Sequence, residues 1–156
     1  MTANDHFERL GLPRRFSVNL AELEWHYLGR SRDAHPDFAS GDEDAAAALN
    51  EAYATLKEPF RRAEHLLALL GGPSAKDDKS LPPAFLMEML ELREQIEAAK
   101  GSPAEVATIE TELLQRTEAL EASLHAMFDS QAPLGSIRRE LNSVRYLSGL
   151  LRDVHS

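Results

Sequence analysis

The run SPAEVATIETELLQRTEALEASLHAM, residues 102–127, decides the fold class. Ser102 supplies a side chain that can cap a helix, Pro103 suits the first helical position, and Glu105 completes the spacing of a capping box. Downstream, Val106, Leu113, Leu120 and Met127 recur every seven residues, the seam of a helix packed in a bundle. No glycine or proline interrupts the run after Pro103. The spacing predicts one long amphipathic helix.

The same grammar extends outward in both directions. Upstream, a helix is expected from about Pro83 to Ala99, stopped by Gly101. Downstream, another starts near Pro133 and should bury Ile137, Leu141, Val144 and Leu151. Three helices with short connections read as an antiparallel bundle. Nearer the N-terminus, Asp5 with Glu8 and Asn19 with Glu22 repeat the capping spacing, and Gly11 and Pro13 end the first, short helix. Leu20, Leu23, Tyr27 and Ala34 share one face of the second helix, which His35-Pro36 stops. After a polar loop at 39–42, a third helix carries Ala45, Leu49, Ala52 and Leu56. Pro59 bends it or opens another helix, with Ala63, Leu66, Leu67 and Leu70 as its apolar face, up to Gly71-Gly72. Residues 71–82, GGPSAKDDKSLP, hold two glycines, two prolines and four charges, and read as a linker. No strand pattern is present, so the chain reads as all-α.

Composition agrees and narrows the function. Of 156 residues 43% are hydrophobic, 28% charged and only 6% aromatic, which suits a globular helical protein. Cysteine is absent, so disulfides, thiolate metal sites and cysteine nucleophiles are excluded. The net charge of −9 argues against nucleic acid as a partner. The longest apolar stretch, Leu66 to Leu70, is far too short to span a membrane, and no secretory signal opens the chain, so a soluble cytoplasmic protein is expected. The six histidines form no close metal pair, and neither a phosphate-binding loop nor a nucleophile elbow is present. No metal, cofactor or catalysis by this chain alone is expected.

His35-Pro36-Asp37 lies between two helices, the first carrying Arg30 and Arg32 near its exit. Taken by itself the triad reads as a helix stop and turn. Framed by Phe7-Glu8-Arg9-Leu10-Gly11-Leu12 before it and Asn50-Glu51-Ala52-Tyr53-Ala54-Thr55-Leu56 after it, it resembles a J domain, the module by which co-chaperones engage ATPase chaperones of the DnaK class. Arg61-Arg62-Ala63-Glu64-His65-Leu66-Leu67 and Phe85-Leu86-Met87-Glu88-Met89-Leu90-Glu91-Leu92-Arg93-Glu94 are similar to segments of the HscB family, J-type co-chaperones of iron–sulfur cluster assembly. The resemblance implies that His35, Pro36, Asp37, Arg30 and Arg32 meet the partner ATPase, HscA. Proline would stiffen that loop and Asp37 would offer a carboxylate to an arginine. Asp37 is followed directly by Phe38, where the family usually places a lysine first.

Advancing about 100° per residue, Phe85, Met89, Leu92 and Ile96 fall within roughly 60° of one another, enough to pack a bundle. Leu86, Met87 and Leu90 occupy a second arc where a surface helix is normally polar, with Glu91, Glu94 and Glu97 beside it. On the residues alone, this is either a wide packing face or a binding face with an apolar centre and charged rim. The resemblance implies the second: Leu86, Met87, Leu90, Glu91, Glu94 and Tyr146 hold the scaffold protein IscU. A further acidic position of the family matches Ala98 here. The architecture expected is a J domain over 1–72 packed on a scaffold-binding three-helix bundle over 73–156. Its function would be to deliver IscU to HscA and stimulate that ATPase. A J-protein serving another client, or a structural helical adaptor in which the triad is only a turn, are the alternatives.

Overall fold

The computed structural model describes residues 4–34 and 43–155. His35, Pro36, Asp37 and the polar loop at 39–42 lie outside the described residues. Among those described, all regular structure is helical: α1 (His6–Arg9), α2 (Leu20–Ala34), α3 (Glu43–Lys57), α4 (Pro59–Leu69), α5 (Pro83–Ala99), α6 (Pro103–Asp129) and α7 (Leu134–Val154). The chain divides into two compact units, Met1–Leu70 and Gly71–Ser156.

In the first unit the short helix α1 depends on its ends. The Glu8 N–H donates to Asp5 Oδ1 at 3.1 Å, and Arg14 Nε reaches the other carboxylate oxygen at 2.7 Å. Burial opposes the charge on Asp5, but these donors outweigh it and hold its pKa below the usual carboxylate value. At the other end Gly11 takes φ +69°, and the Leu12 and Gly11 N–H groups donate back to Phe7 and Glu8 carbonyls. A side chain at position 11 would also collide with the Arg30 guanidinium. α2 packs on α3 through the stacked rings of Tyr27 and Tyr53, 4.2 Å apart, and the Tyr27 hydroxyl donates to Asn50. Phe7, Leu10, Leu23, Ala52, Leu56, Ala63 and Leu67 form the dry core. Leu20 and Leu70, expected on buried faces, are exposed: Leu20 is the first residue of α2 and Leu70 caps the C-terminal end of α4.

The second unit closes around Met89, Leu92, Ile96, Ile109, Leu113, Leu147 and Leu150, with Phe85, Val106, Leu120, Tyr146 and Leu151 packed partly buried against them. Ser102 and Pro103 stand where the sequence puts them, but Ser102 makes no side-chain cap bond and the expected capping box is not formed. α6 ends without glycine: Gln131 adopts φ +55°, and the Gln131 and Ala132 N–H groups donate to Phe128 and Met127 carbonyls.

Two arginines lie inside the fold. Arg62 is buried, donating from Nε to the Phe16 carbonyl at 2.7 Å and from Nη1 to the Leu56 carbonyl at 2.6 Å, beside the Phe16 ring. Arg138 is 0% exposed. Its Nε donates to Asn142 Oδ1 at 3.0 Å and its Nη1 to the Pro73 carbonyl at 3.5 Å. The Asn142 amide then donates to the carbonyls of Asp78 and Ser80. The segment read as a linker is therefore stitched along α7 as part of the second unit.

Replacing Arg138 with methionine keeps most of the volume but strips the Pro73 carbonyl and Asn142 Oδ1 of their donor, loosening the amide that holds Asp78 and Ser80; the loss should cost about 2–4 kcal/mol of stability in urea unfolding. Amide exchange should rise first over residues 73–80. A second outcome is expected in acid. The His6 backbone N–H donates to His65 Nε2 at 3.0 Å, a bond that exists only while that nitrogen is unprotonated. Burial pushes the pKa of both imidazoles below 6.5, with the charge on His6 adding to the effect at His65. The unfolded chain therefore binds more protons, so stability is complete above pH 6.5 and falls as pH drops below it. His65→Gln, which keeps an acceptor but does not titrate, should flatten that slope in thermal melts.

Candidate functional site

α5 presents two apolar faces, and the bundle consumes one. Met89, Leu92 and Ile96 are buried, and Phe85 packs partly buried on the same side. Leu86, Met87 and Leu90 remain 40%, 66% and 49% exposed. Glu91 and Glu94 are exposed beside them. Glu88 turns to the opposite flank and pairs with Arg116 of α6 at 2.7 Å, while Glu97 pairs with Lys100 at 3.2 Å. Ala98 offers no polar atom where one more acid would extend the rim.

Tyr146 of α7 stands at the margin of this strip. Its ring meets Phe85 edge-on, 6.1 Å between centroids at 87°. Its hydroxyl accepts from Arg93 Nε at 2.6 Å, and the guanidinium carbon lies 5.2 Å from the ring centre. That hydrogen bond pushes the Arg93 pKa up. α5 thus exposes Leu86, Met87, Leu90, Glu91 and Glu94, and Tyr146 of α7 is tied to the same helix through Phe85 and Arg93. Arg93 was missed by sequence reading, because its partner lies 53 positions away and no local pattern announces the contact.

In the first unit, Arg32 is exposed in the last turn of α2. Arg30 is half-buried, its guanidinium lying against Gly11 and its Nε without a hydrogen-bond partner. Trp25 and Leu28 are exposed on the same helix. With Ala21 and Arg32 they share one stripe, a spacing that the sequence displays. Among the described residues no group of three or more metal-ligating side chains is close enough to hold an ion, and no helix is long and apolar enough to cross a membrane.

Two helical units, one edged by an uncovered apolar strip with carboxylates along it, have the chemistry of a protein-binding adaptor. Residues 81–155 match the family model described as the HSCB C-terminal oligomerisation domain. Over 140 residues the chain is 34% identical to the co-chaperone protein HscB homolog of Bordetella pertussis, covering 84% of this chain and 82% of that one. Chaperone HscB from Vibrio cholerae superposes with a TM-score of 0.75 at 30% identity, over 96% of this chain and 94% of that one. Human co-chaperone protein HscB gives a TM-score of 0.83 at 25% identity, over 99% and 82%. The chain belongs to the HscB family of co-chaperones.

The two faces of α5 differ in what truncation costs. Leu86→Ala and Leu90→Ala should each shift the unfolding free energy by no more than about 1 kcal/mol, since half-exposed side chains leave little cavity behind. Met89→Ala should cost roughly 2–5 kcal/mol. Urea titration of the four purified chains, unmodified included, checks the contrast.

Proposed function

We propose that this co-chaperone serves iron–sulfur cluster assembly in the cytoplasm, holding the IscU scaffold on its C-terminal bundle and delivering it to HscA, whose ATPase it stimulates. The observation that carries the reading is the strip of Leu86, Met87 and Leu90, left exposed on a helix whose other apolar face is already buried. A folded chain rarely leaves three large apolar side chains together in water without a partner to cover them. Glu91 and Glu94 would form the charged rim, giving the encounter its orientation and salt dependence. Tyr146 would add a rigid aromatic edge whose two side-chain torsions cost little entropy to fix.

Residues 1–72 act in this reading as the J domain and 73–156 as the scaffold-binding domain. Arg30, Arg32, His35, Pro36 and Asp37 would dock the ATPase. The contact is one of recognition: the hydrolysis itself belongs to the partner. Family membership supports this assignment, as does the order of the motifs along the chain.

The deciding experiment measures HscA turnover with this chain, with and without IscU. His35→Gln should abolish stimulation while leaving helicity and IscU affinity intact. Leu86→Ala with Leu90→Ala should do the converse, weakening IscU binding by roughly 1–4 kcal/mol and sparing the stimulation seen without scaffold. Equal loss of both activities in either variant would defeat the separation of the two sites. ATPase stimulation without any IscU affinity would instead identify a J-protein with another client.

A further inference from the structure

We propose that Arg93 is a positioning residue, fixing the Tyr146 ring in the orientation that receives the scaffold; the inference rests on the function proposed above. Arg93 follows Leu90 by one turn on α5 and lies, by its helical angle, between the buried arc and the exposed strip. From that border it reaches Tyr146 in two ways at once. Nε donates to the phenol oxygen at 2.6 Å, and the guanidinium carbon lies 5.2 Å from the ring centre. Phe85 closes the opposite constraint, meeting the same ring edge-on. The ring is therefore held by Phe85 and, at its hydroxyl, by Arg93.

The arrangement spends an exposed arginine on a tyrosine although carboxylates lie close by. Arg93 closes no salt bridge within 4.0 Å among the described residues, although Asp153 attracts it at longer range, and its neighbour Glu94 has none either. A long surface side chain is costly to order for a single hydrogen bond, even one with a charged donor. Here the ordering has a use, because a ring already fixed loses no further rotamer freedom when a partner covers it. Only arginine combines a planar stacking cation with a donor along its stem. Lysine would carry the same charge without holding the phenol.

The pair predicts coupled losses. In calorimetric titration of the full chain with IscU, Arg93→Met should weaken binding about three- to tenfold, the worth of one net hydrogen bond. Tyr146→Phe, which keeps the ring and removes the hydroxyl, should weaken it to the same degree. The double variant should be no weaker than either single one, since both remove the same contact. Melting midpoints should stay together in all three, because Arg93 is exposed. Arg93→Lys should behave like Arg93→Met. Full affinity in Arg93→Met or in Arg93→Lys, or losses that multiply in the double variant, would overturn the positioning role while leaving the scaffold reading intact. Failure of the unmodified chain to bind IscU would overturn both.

Discussion

Buried guanidinium groups tie irregular backbone to helices in both units. Arg62 carries the carbonyls of Phe16 and Leu56, one in the turn before α2 and the other in the last turn of α3, where carbonyls lack helical partners. Arg138, with Asn142, carries those of Pro73, Asp78 and Ser80. A carbonyl shut away from water without a donor costs more than the hydrogen bond is worth, so each arginine makes a close-packed connection possible rather than merely decorating it. The arginine in turn depends on those oxygens, because an unpaired buried cation would not be tolerated. With residues 71–82 clamped to α7, α5 begins from a fixed point, and the apolar strip it bears is presented at a defined place on the second unit.

α5 shows how a simple packing constraint leaves an apolar face uncovered. A helix in a three-helix bundle meets its neighbours over one sector of its circumference. Met89, Leu92 and Ile96 fill that sector, and Leu86, Met87 and Leu90 lie beyond its reach. In the function proposed above, methionine and leucine would adapt to an irregular partner surface, while Glu91 and Glu94 would discourage partners of the wrong charge. The border with α7 is stiffer, because Tyr146 is pinned between Phe85 and Arg93. One side of the face can adapt while the other keeps its shape.

Most of the helical architecture is legible because its signals are local. Asp5 and Asn19 cap as their spacing implies, accepting from Glu8 and Glu22 at 3.1 and 3.0 Å. The two arcs of α5 follow from angles alone. Contacts across long loops are not legible in this way. Nothing local marks Arg62 or Arg138 as buried, since the oxygens that accept from them lie up to 46 and 65 positions distant. Composition made residues 71–82 look like a linker, and only the position of Asn142 reveals them as a strap. The end of α6 carries no glycine to mark its left-handed residue, and Gln131 takes that conformation at a steric cost that local sequence does not advertise. Of the candidate site, the apolar strip could be drawn from periodicity, whereas the Arg93–Tyr146 contact could not.

The uncovered strip also governs how the chain behaves in its own company. Leu86, Met87 and Leu90 form a patch able to adhere to its counterpart on another copy. What holds copies apart is mutual repulsion, supplied by a net charge of −9 and locally by Glu91 and Glu94. Concentrated salt shortens the reach of that repulsion to about 3 Å at 1 M and strengthens apolar attraction when the anion is a strongly hydrated one such as sulfate. Self-association at high concentration thus depends on the balance along this helix, alongside the exposed Trp25 and Leu28 of α2. Dilute buffer of low ionic strength keeps the strip free, and sulfate-rich precipitants drive it to cover itself.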